Sequence, residues 1–117
     1  MAEQLFSVAL LNKRTGYDPD VMQEMFDIFK ESYPEYFDIC SDAIKNEDWK
    51  KLSETAHRTK SSVAIMGMEE IRQEFNEMEI LAANAEKTET YRAWLDELKV
   101  KVDLAVSQIQ EYLHNKT

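Results

Sequence analysis

Residues that form turns are scarce in this chain, which has two glycines and two prolines among 117 residues. A sandwich or barrel of many short strands needs far more glycine and proline than this for its turns. Apolar residues make up 44% of the sequence, enough to form a hydrophobic core in one domain of this length. The composition therefore argues against an all-β fold, and the helical spacing described below predicts an all-α one. Because no repeat or linker-like stretch divides the sequence, we expect a single domain over residues 1–117.

Apolar residues recur at helical spacing between the few breaks, beginning near the N-terminus. From about Glu3 to Arg14 the spacing predicts a short helix whose apolar side is formed by Leu5, Phe6, Ala9 and Leu10. Gly16 is expected to end this helix, because glycine enters the left-handed conformation at low cost.

A long second helix is predicted to begin at Asp18-Pro19, a pair typical of an N-cap and the first helical position, and to end near residue 45. Pro34 interrupts the pattern, since proline inside a helix removes one backbone hydrogen bond. The apolar spacing resumes in phase after it, which favours one kinked helix over two.

Three further helices are predicted in the second half of the chain. Residues 46–48 indicate a cap for the third helix, with acidic residues in its first turn, and Gly67 ends it. The fourth begins almost at once, and Thr88 is expected to cap the fifth. Four long amphipathic helices with short connections predict an antiparallel up-down-up-down four-helix bundle, with the short N-terminal helix covering one end.

Several classes of function are disfavoured by charge and composition. A formal charge of −9 would repel nucleic acid and anionic membranes, and no apolar stretch approaches the ~20 residues needed to cross a bilayer. The acidic N-terminus does not resemble a secretory signal, and the single cysteine, Cys40, fits a reducing compartment. The two histidines, His57 and His114, are too far apart in sequence to indicate a metal site. A cytoplasmic monomer without a metal or cofactor is the expectation.

One residue breaks the pattern of the third helix. His57 is offset by one position from the apolar stripe and belongs to a neighbouring stripe of small or polar residues, Ser53, Lys60, Ser61 and Ala64. Lys60 follows His57 by three positions and therefore lies on the same helix face. An adjacent ammonium disfavours the protonated imidazole and offsets the charge of an attached phosphoryl group. By itself, however, the pair is also what an ordinary solvated helix face would contain.

Around His57 the sequence resembles the histidine-containing phosphotransfer (HPt) domains of multistep phosphorelays. The family pattern is Ala-His-x-Leu-Lys-Gly/Ser with a glycine six positions later, and this chain has Ala56, His57, Lys60, Ser61 and Gly67 in register. An acid–tryptophan pair before this helix (here residues 48–49) and a preceding long helix with an internal proline are also similar. Two departures are a threonine at position 59, where the family often has leucine, and serine in place of the frequent glycine at position 61.

The resemblance implies a role for each matching residue. His57 would accept a phosphoryl group on Nε2 from a receiver-domain aspartate and pass it to another receiver, with Lys60 beside the phosphoryl oxygens. Ser61 would be the small residue that leaves the approach open, and Gly67 would let the third and fourth helices meet closely. Glu79, twenty-two positions after the histidine, would orient the imidazole through Nδ1.

The resemblance also implies partners. Receiver domains of a hybrid sensor kinase and of a response regulator would dock around His57 on the second and third helices. Ser53, Ala64, Ile65 and Met68 are the candidate contacts, and the contacts on the second helix are not identified. Any Mg²⁺ would belong to the receiver, and the chain would be a phosphoryl carrier without a nucleotide site, not an enzyme. The alternative is a helical-bundle adaptor that binds a signalling partner and never carries phosphate.

Overall fold

The computed structural model describes residues 3–116 and is helical throughout, with no strand in that range. Five α-helices follow one another, and a 3₁₀ turn at Thr88–Thr90 precedes the last of them. Their bounds are α1 Val8–Arg14, α2 Pro19–Lys45, α3 Trp49–Ile65, α4 Glu69–Ala83 and α5 Tyr91–Lys116. The prediction of an all-α chain with a short N-terminal helix and four long ones is confirmed. Over residues 3–116, every helix is too short or too polar to cross a membrane.

The four long helices surround a common core. α3 packs against both α2 and α4, α5 packs against both α2 and α4, and α1 contacts α3. Aromatic rings connect these elements, for example the edge-to-face contact of Phe37 with Phe75 and that of Trp49 with Tyr91. The site helix α3 is therefore held on both sides, which leaves its outer face open.

α2 is one helix of 27 residues with Pro34 inside it, as the resumed apolar spacing predicted. Asp18 caps its start: the side chain accepts hydrogen bonds from the backbone N–H groups of Asp20 and Val21. Pro34 itself is exposed, so the pyrrolidine ring does not disturb the packing of the buried side.

The first helix begins later than the sequence predicted. Its N-cap is Ser7, whose hydroxyl accepts a hydrogen bond from the backbone N–H of Leu10, so residues 3–6 lie outside the helix. Phe6 is buried from this extended segment, and Leu11 is the buried residue of the helix, whereas Ala9 is exposed. The helix starts at the serine cap and not where the apolar spacing begins, because the Ser7 hydroxyl accepts a hydrogen bond from an N–H that has no partner within the first turn.

Two other helix ends differ from the prediction. Asp48 alone caps α3, accepting from the N–H of Lys51, while Asn46 is the C-cap of α2 and the first turn of α3 contains no acid. Thr88 begins the 3₁₀ turn and does not cap α5, which starts at Tyr91.

Gly67 ends α3 with φ of +77°, a conformation that glycine adopts without strain. A Cβ added there would lie 2.6 Å from the carbonyl oxygen of Ser7, and the Ser7 N–H donates a 2.8 Å hydrogen bond to the Gly67 carbonyl. The close approach that requires glycine is thus to the N-terminal segment. The predicted role of Gly67, letting the third and fourth helices meet closely, stays a prediction, and the atoms nearest to an added Cβ belong to residues 7 and 11.

Candidate functional site

His57 stands on the outer face of α3, with 59% of its side chain exposed. The opposite face of the helix is buried and includes two polar residues, Thr55 and Thr59. Each of their hydroxyls donates a 2.8 Å hydrogen bond to the carbonyl four residues earlier. Threonine is therefore accommodated at position 59, since its hydroxyl is paired and its methyl group packs in the core.

One nitrogen of the imidazole is already engaged. His57 Nδ1 lies 3.0 Å from Oε2 of Glu79, a residue of α4. An ionised carboxylate can only accept, so Nδ1 carries the hydrogen and donates it. In the neutral ring this leaves the lone pair on Nε2, the nitrogen available for nucleophilic attack.

Lys60 meets the second oxygen of the same carboxylate. Its Nζ is 2.8 Å from Oε1 of Glu79, and the side chain is only 20% exposed. The ammonium also donates to Oδ1 of Asn76, one turn earlier on α4, at 3.1 Å. Ser53 donates to the backbone carbonyl of Glu79 at 2.9 Å. The structure therefore brings together Ser53, His57 and Lys60, which the helical spacing grouped, and Glu79, which the family resemblance implied. It adds Asn76 to this group.

Asn76 was missed by the sequence reasoning. The available signal was its spacing: a residue three positions before Glu79 lies on the same face of the helix. Nothing in the sequence set that amide apart from the other polar residues of α4.

The carboxylate of Glu79 is held in its ionised form. Its partial burial by itself would raise the pKa, but the hydrogen bonds and charges of Lys60 and His57 outweigh burial and lower the pKa below its usual value of 4.5. The carboxylate is therefore negative at neutral pH and faces the ring N–H as an anion.

The predicted docking residues divide into two groups. Ser61 is exposed, with its hydroxyl donating to the His57 carbonyl at 3.3 Å, and Ser53, Ala64 and Ile65 are partly exposed. Met68 is completely buried, so its prediction as a docking residue is wrong. It precedes α4 at the tight turn after Gly67, where the chain directs it into the core.

An apolar cleft between α2 and α3 extends the exposed face. It has a volume of about 210 Å³, and Ile28, at its edge, is an exposed large hydrophobic residue. The cleft is lined by Met25, Ile28, Phe29, Ser32 and Tyr36 of α2, by Ser62 and Ile65 of α3, and by Met66. The sequence had predicted a contribution from the second helix without identifying its residues.

The described residues form neither a metal site nor a reactive thiol. Among residues 3–115, whose side chains are described, no three His, Cys, Asp or Glu residues come together as a metal site would require. Cys40 is buried in the core, and burial raises the pKa of its thiol to about 12, so it is protonated and unreactive at neutral pH.

Comparison with known families decides the assignment. The sequence model described as "Hpt domain" matches residues 24–114, a range that contains His57, Lys60, Asn76 and Glu79. The chain belongs to the Hpt family. Hpt domains are helical phosphocarrier modules that take part in histidine phosphotransfer in phosphorelays. A search of curated proteins and one of solved structures each returned no match.

Proposed function

We propose that this Hpt domain carries a phosphoryl group on Nε2 of His57, taking it from a receiver-domain aspartate and giving it to another. The observation that supports the proposal most directly is the exposed imidazole whose Nδ1 is bound to a carboxylate. A buried ring, or one whose two nitrogens were both engaged, could not serve as an acceptor.

The transfer is a displacement at phosphorus. The Nε2 lone pair attacks the phosphorus of an aspartyl phosphate, a P–N bond forms, and the P–O bond to the aspartate breaks with release of a carboxylate. No proton is lost, because the Nδ1 hydrogen stays on the ring, which becomes cationic as it acquires the phosphoryl group. The second transfer reverses these bond changes at another aspartate.

Glu79 carries the negative charge that this step requires beside the ring. The ring gains positive charge as the P–N bond forms, and an anionic carboxylate 3.0 Å from Nδ1 stabilises that charge. The contact also fixes ring orientation, which matters because phosphoryl transfer depends mainly on positioning and electrostatics.

Lys60 supplies a cation that offsets the negative charge of the phosphoryl group. Its ammonium has three N–H groups, of which two donate to Glu79 and Asn76, so one remains for a phosphoryl oxygen. Ser61 keeps the approach to His57 open because its side chain is small.

The receiver docks, in this proposal, over the outer face of α3 and the adjoining cleft. Ser53, Ala64 and Ile65 contribute from α3, and Ile28 from α2. An exposed apolar rim beside a cleft suits an interface that forms and separates repeatedly.

The remaining parts of the proposal concern assembly. The bundle runs up-down-up-down, and the protein acts as a cytoplasmic monomer whose partners are the receivers of a hybrid sensor kinase and of a response regulator. It holds no cofactor; the Mg²⁺ that assists transfer is bound by the receiver.

The test is incubation with a phosphorylated receiver domain and Mg²⁺. We expect the chain to take up an acid-labile, base-stable label that His57→Gln does not acquire, while His114→Gln, the matched control at the other histidine, is labelled normally. A labelled His57→Gln variant would contradict the assignment. An unlabelled wild type that still binds the receiver would favour the adaptor alternative.

A further inference from the structure

Charge is distributed very unevenly among the helices. α3 carries four cationic residues, Lys50, Lys51, Arg58 and Lys60, and one acid, Glu54. The two helices that flank it are strongly acidic: α2 has seven acids and two lysines, and α4 has five acids and one arginine. In a chain with a formal charge of −9, the helix that bears His57 is thus a cationic ridge between two anionic flanks.

Three of the four cations of α3 are also without an ion pair to any described residue. Lys60 is bound to Glu79, but Lys50, Lys51 and Arg58 are exposed and make no side-chain hydrogen bond or ion pair with any described residue. Elsewhere in the described chain, Lys30, Arg72, Lys99 and Lys101 each meet a carboxylate of the same molecule, whereas Lys13, Lys45 and Lys87 are exposed and make no ion pair with a described residue. Acids are abundant, so the absence of partners at Lys50, Lys51 and Arg58 leaves their charge available to another molecule.

Lys50 lies on the same face of α3 as His57, and Arg58 lies on the adjoining face toward α2. Lys50 precedes His57 by seven residues, which places it about 10 Å away along the helix and only about 20° around the axis. Arg58 follows His57 directly on the α2 side, in line with Ile65 of the cleft seven residues later. A standard protein interface covers about 800 Å² on each partner, so a molecule centred on His57 covers both cations.

We propose that this ridge, defined by Lys50, His57 and Arg58, selects and steers a partner whose contact surface is a narrow acidic strip. The inference rests on the proposed function, since the partner is taken to be the receiver that exchanges phosphate with His57. The receiver face around the phosphorylated aspartate is the occupant. A partner that was acidic over a broad surface would be repelled by α2 and α4, so its carboxylates lie in a band about as wide as one helix, ~10 Å.

Three charge reversals of equal size test the proposal: Lys50→Glu, Arg58→Glu and, as control, Lys87→Glu. Lys87 is an exposed cation between α4 and α5 that makes no ion pair with a described residue. Transfer from a phosphorylated receiver is followed at limiting concentration, at about 0.02 M and about 0.5 M salt. We expect each ridge variant to lower the second-order rate constant by about three- to tenfold at low salt, with the difference largely removed at high salt. The control should stay within about twofold of wild type.

Labelling of each variant by phosphoramidate, a small phosphoryl donor, separates the steering proposal from the proposed carrier function. If wild type and variants are labelled equally by phosphoramidate but only ridge variants slow the receiver, both hypotheses stand. If the three charge reversals change the rate constant of transfer from the receiver equally, or if the ridge variants transfer faster than wild type, the steering proposal is wrong while the carrier function survives. If neither donor labels wild type, the carrier function fails and this inference fails with it. Circular dichroism checks that each surface variant remains folded.

Discussion

Two glutamates of α4 make the same kind of contact on different sides of the helix. Glu79 joins the His57 ring nitrogen at 3.0 Å to the Lys60 ammonium at 2.8 Å. Glu74 joins the Trp94 indole nitrogen at 3.1 Å to the Lys101 ammonium at 2.8 Å. The arrangement of ring N–H, carboxylate and ammonium is nearly identical in the two clusters.

What differs is the ring. Indole has one nitrogen, and its hydrogen bond to Glu74 leaves no basic atom free, so that cluster serves only to attach α5 to α4. Imidazole has a second nitrogen, and the carboxylate that fixes the first leaves the second as a nucleophile on an exposed face. A carboxylate–lysine pair therefore holds a ring N–H in both places, and the ring that it holds determines whether chemistry can follow.

The largest expected effect comes from exchanging the ring itself. His57→Gln removes the nucleophile while keeping an N–H that can reach Glu79, so phosphoryl uptake should fall to background with little change in thermal stability. Trp94→Phe should leave uptake within about twofold, because it affects only the structural cluster. Retained uptake in the first variant, or its loss in the second, would contradict the distinction between the two clusters.

The next effect separates the two carboxylates. Glu79→Gln removes a charge-assisted contact that strengthens as the ring becomes cationic, worth about 1.4 kcal/mol, and should slow transfer about tenfold. Glu74→Gln should leave the transfer rate unchanged and lower the free energy of unfolding by about 0.5 kcal/mol. Single-turnover transfer and urea denaturation of both variants provide the measurements, and equal rates in the two variants would show that Glu79 has no part in transfer.

A smaller effect is expected at Asn76, which has no described counterpart in the Glu74 cluster. Asn76→Ala removes one of the two contacts that hold Lys60 and leaves the one with Glu79, so it should slow transfer about threefold. Helix propensity favours alanine over asparagine by about 0.6 kcal/mol and protects stability. Nitrogen NMR of His57 should show less of the Nδ1–H tautomer. Gln73→Ala, the exposed amide one turn earlier, is the matched control; if it has the same effect as Asn76→Ala, the contact with Lys60 is irrelevant.

The smallest expected effect is the opposite pH dependence of the clusters. The lowered pKa of Glu79 stabilises the fold above its unfolded value of ~4.3, and this is lost as pH falls through the folded pKa. The hydrogen bond from Lys101 to Glu74 raises the pKa of Lys101, which stabilises the fold below ~10.4 and is lost as pH rises through the folded pKa. Lys101 is 43% exposed, so solvent screening limits its contribution to about 0.3 kcal/mol.

Urea unfolding at acidic, neutral and alkaline pH checks both signs. Relative to wild type, Glu79→Gln should reduce stability at neutral pH, where Glu79 and Lys60 are both charged, and converge with it in acid. Lys101→Gln should reduce stability at neutral pH, where both members of its ion pair with Glu74 are charged, and converge with wild type in alkali. The reverse pattern in either variant would show that the corresponding ion pair does not stabilise the fold.

Periodicity was sufficient to predict the long helices and the shared face of His57 and Lys60. These follow from 3.6 residues per turn and from the burial of apolar stripes, which are local properties of the sequence. The position of Glu79 came from the family resemblance, because spacing along the chain does not reveal which turn of α4 lies opposite His57.

What could not be predicted depends on contacts between distant segments. The approach of Ser7 to Gly67, the burial of Met68 and the pairing of Lys60 with Asn76 each join residues from different elements. Apolar character suggested surface docking for Met68, but the tight turn directs that side chain inward. The start of α1 was mispredicted for a local reason, since the Ser7 cap competed with an apolar pattern that began earlier.

The contact of Ser7 with Gly67 has a consequence for alignment of the two site helices. The turn at Gly67 joins α3 to α4, and the hydrogen bond from Ser7 fastens the beginning of the described chain to that joint. Sliding one helix past the other by even 1 Å would stretch the reach of Glu79 to the imidazole. The N-terminal segment thus braces the turn between the two site helices, so a change at Ser7 is expected to reach the imidazole of His57 although the two residues are far apart in the sequence.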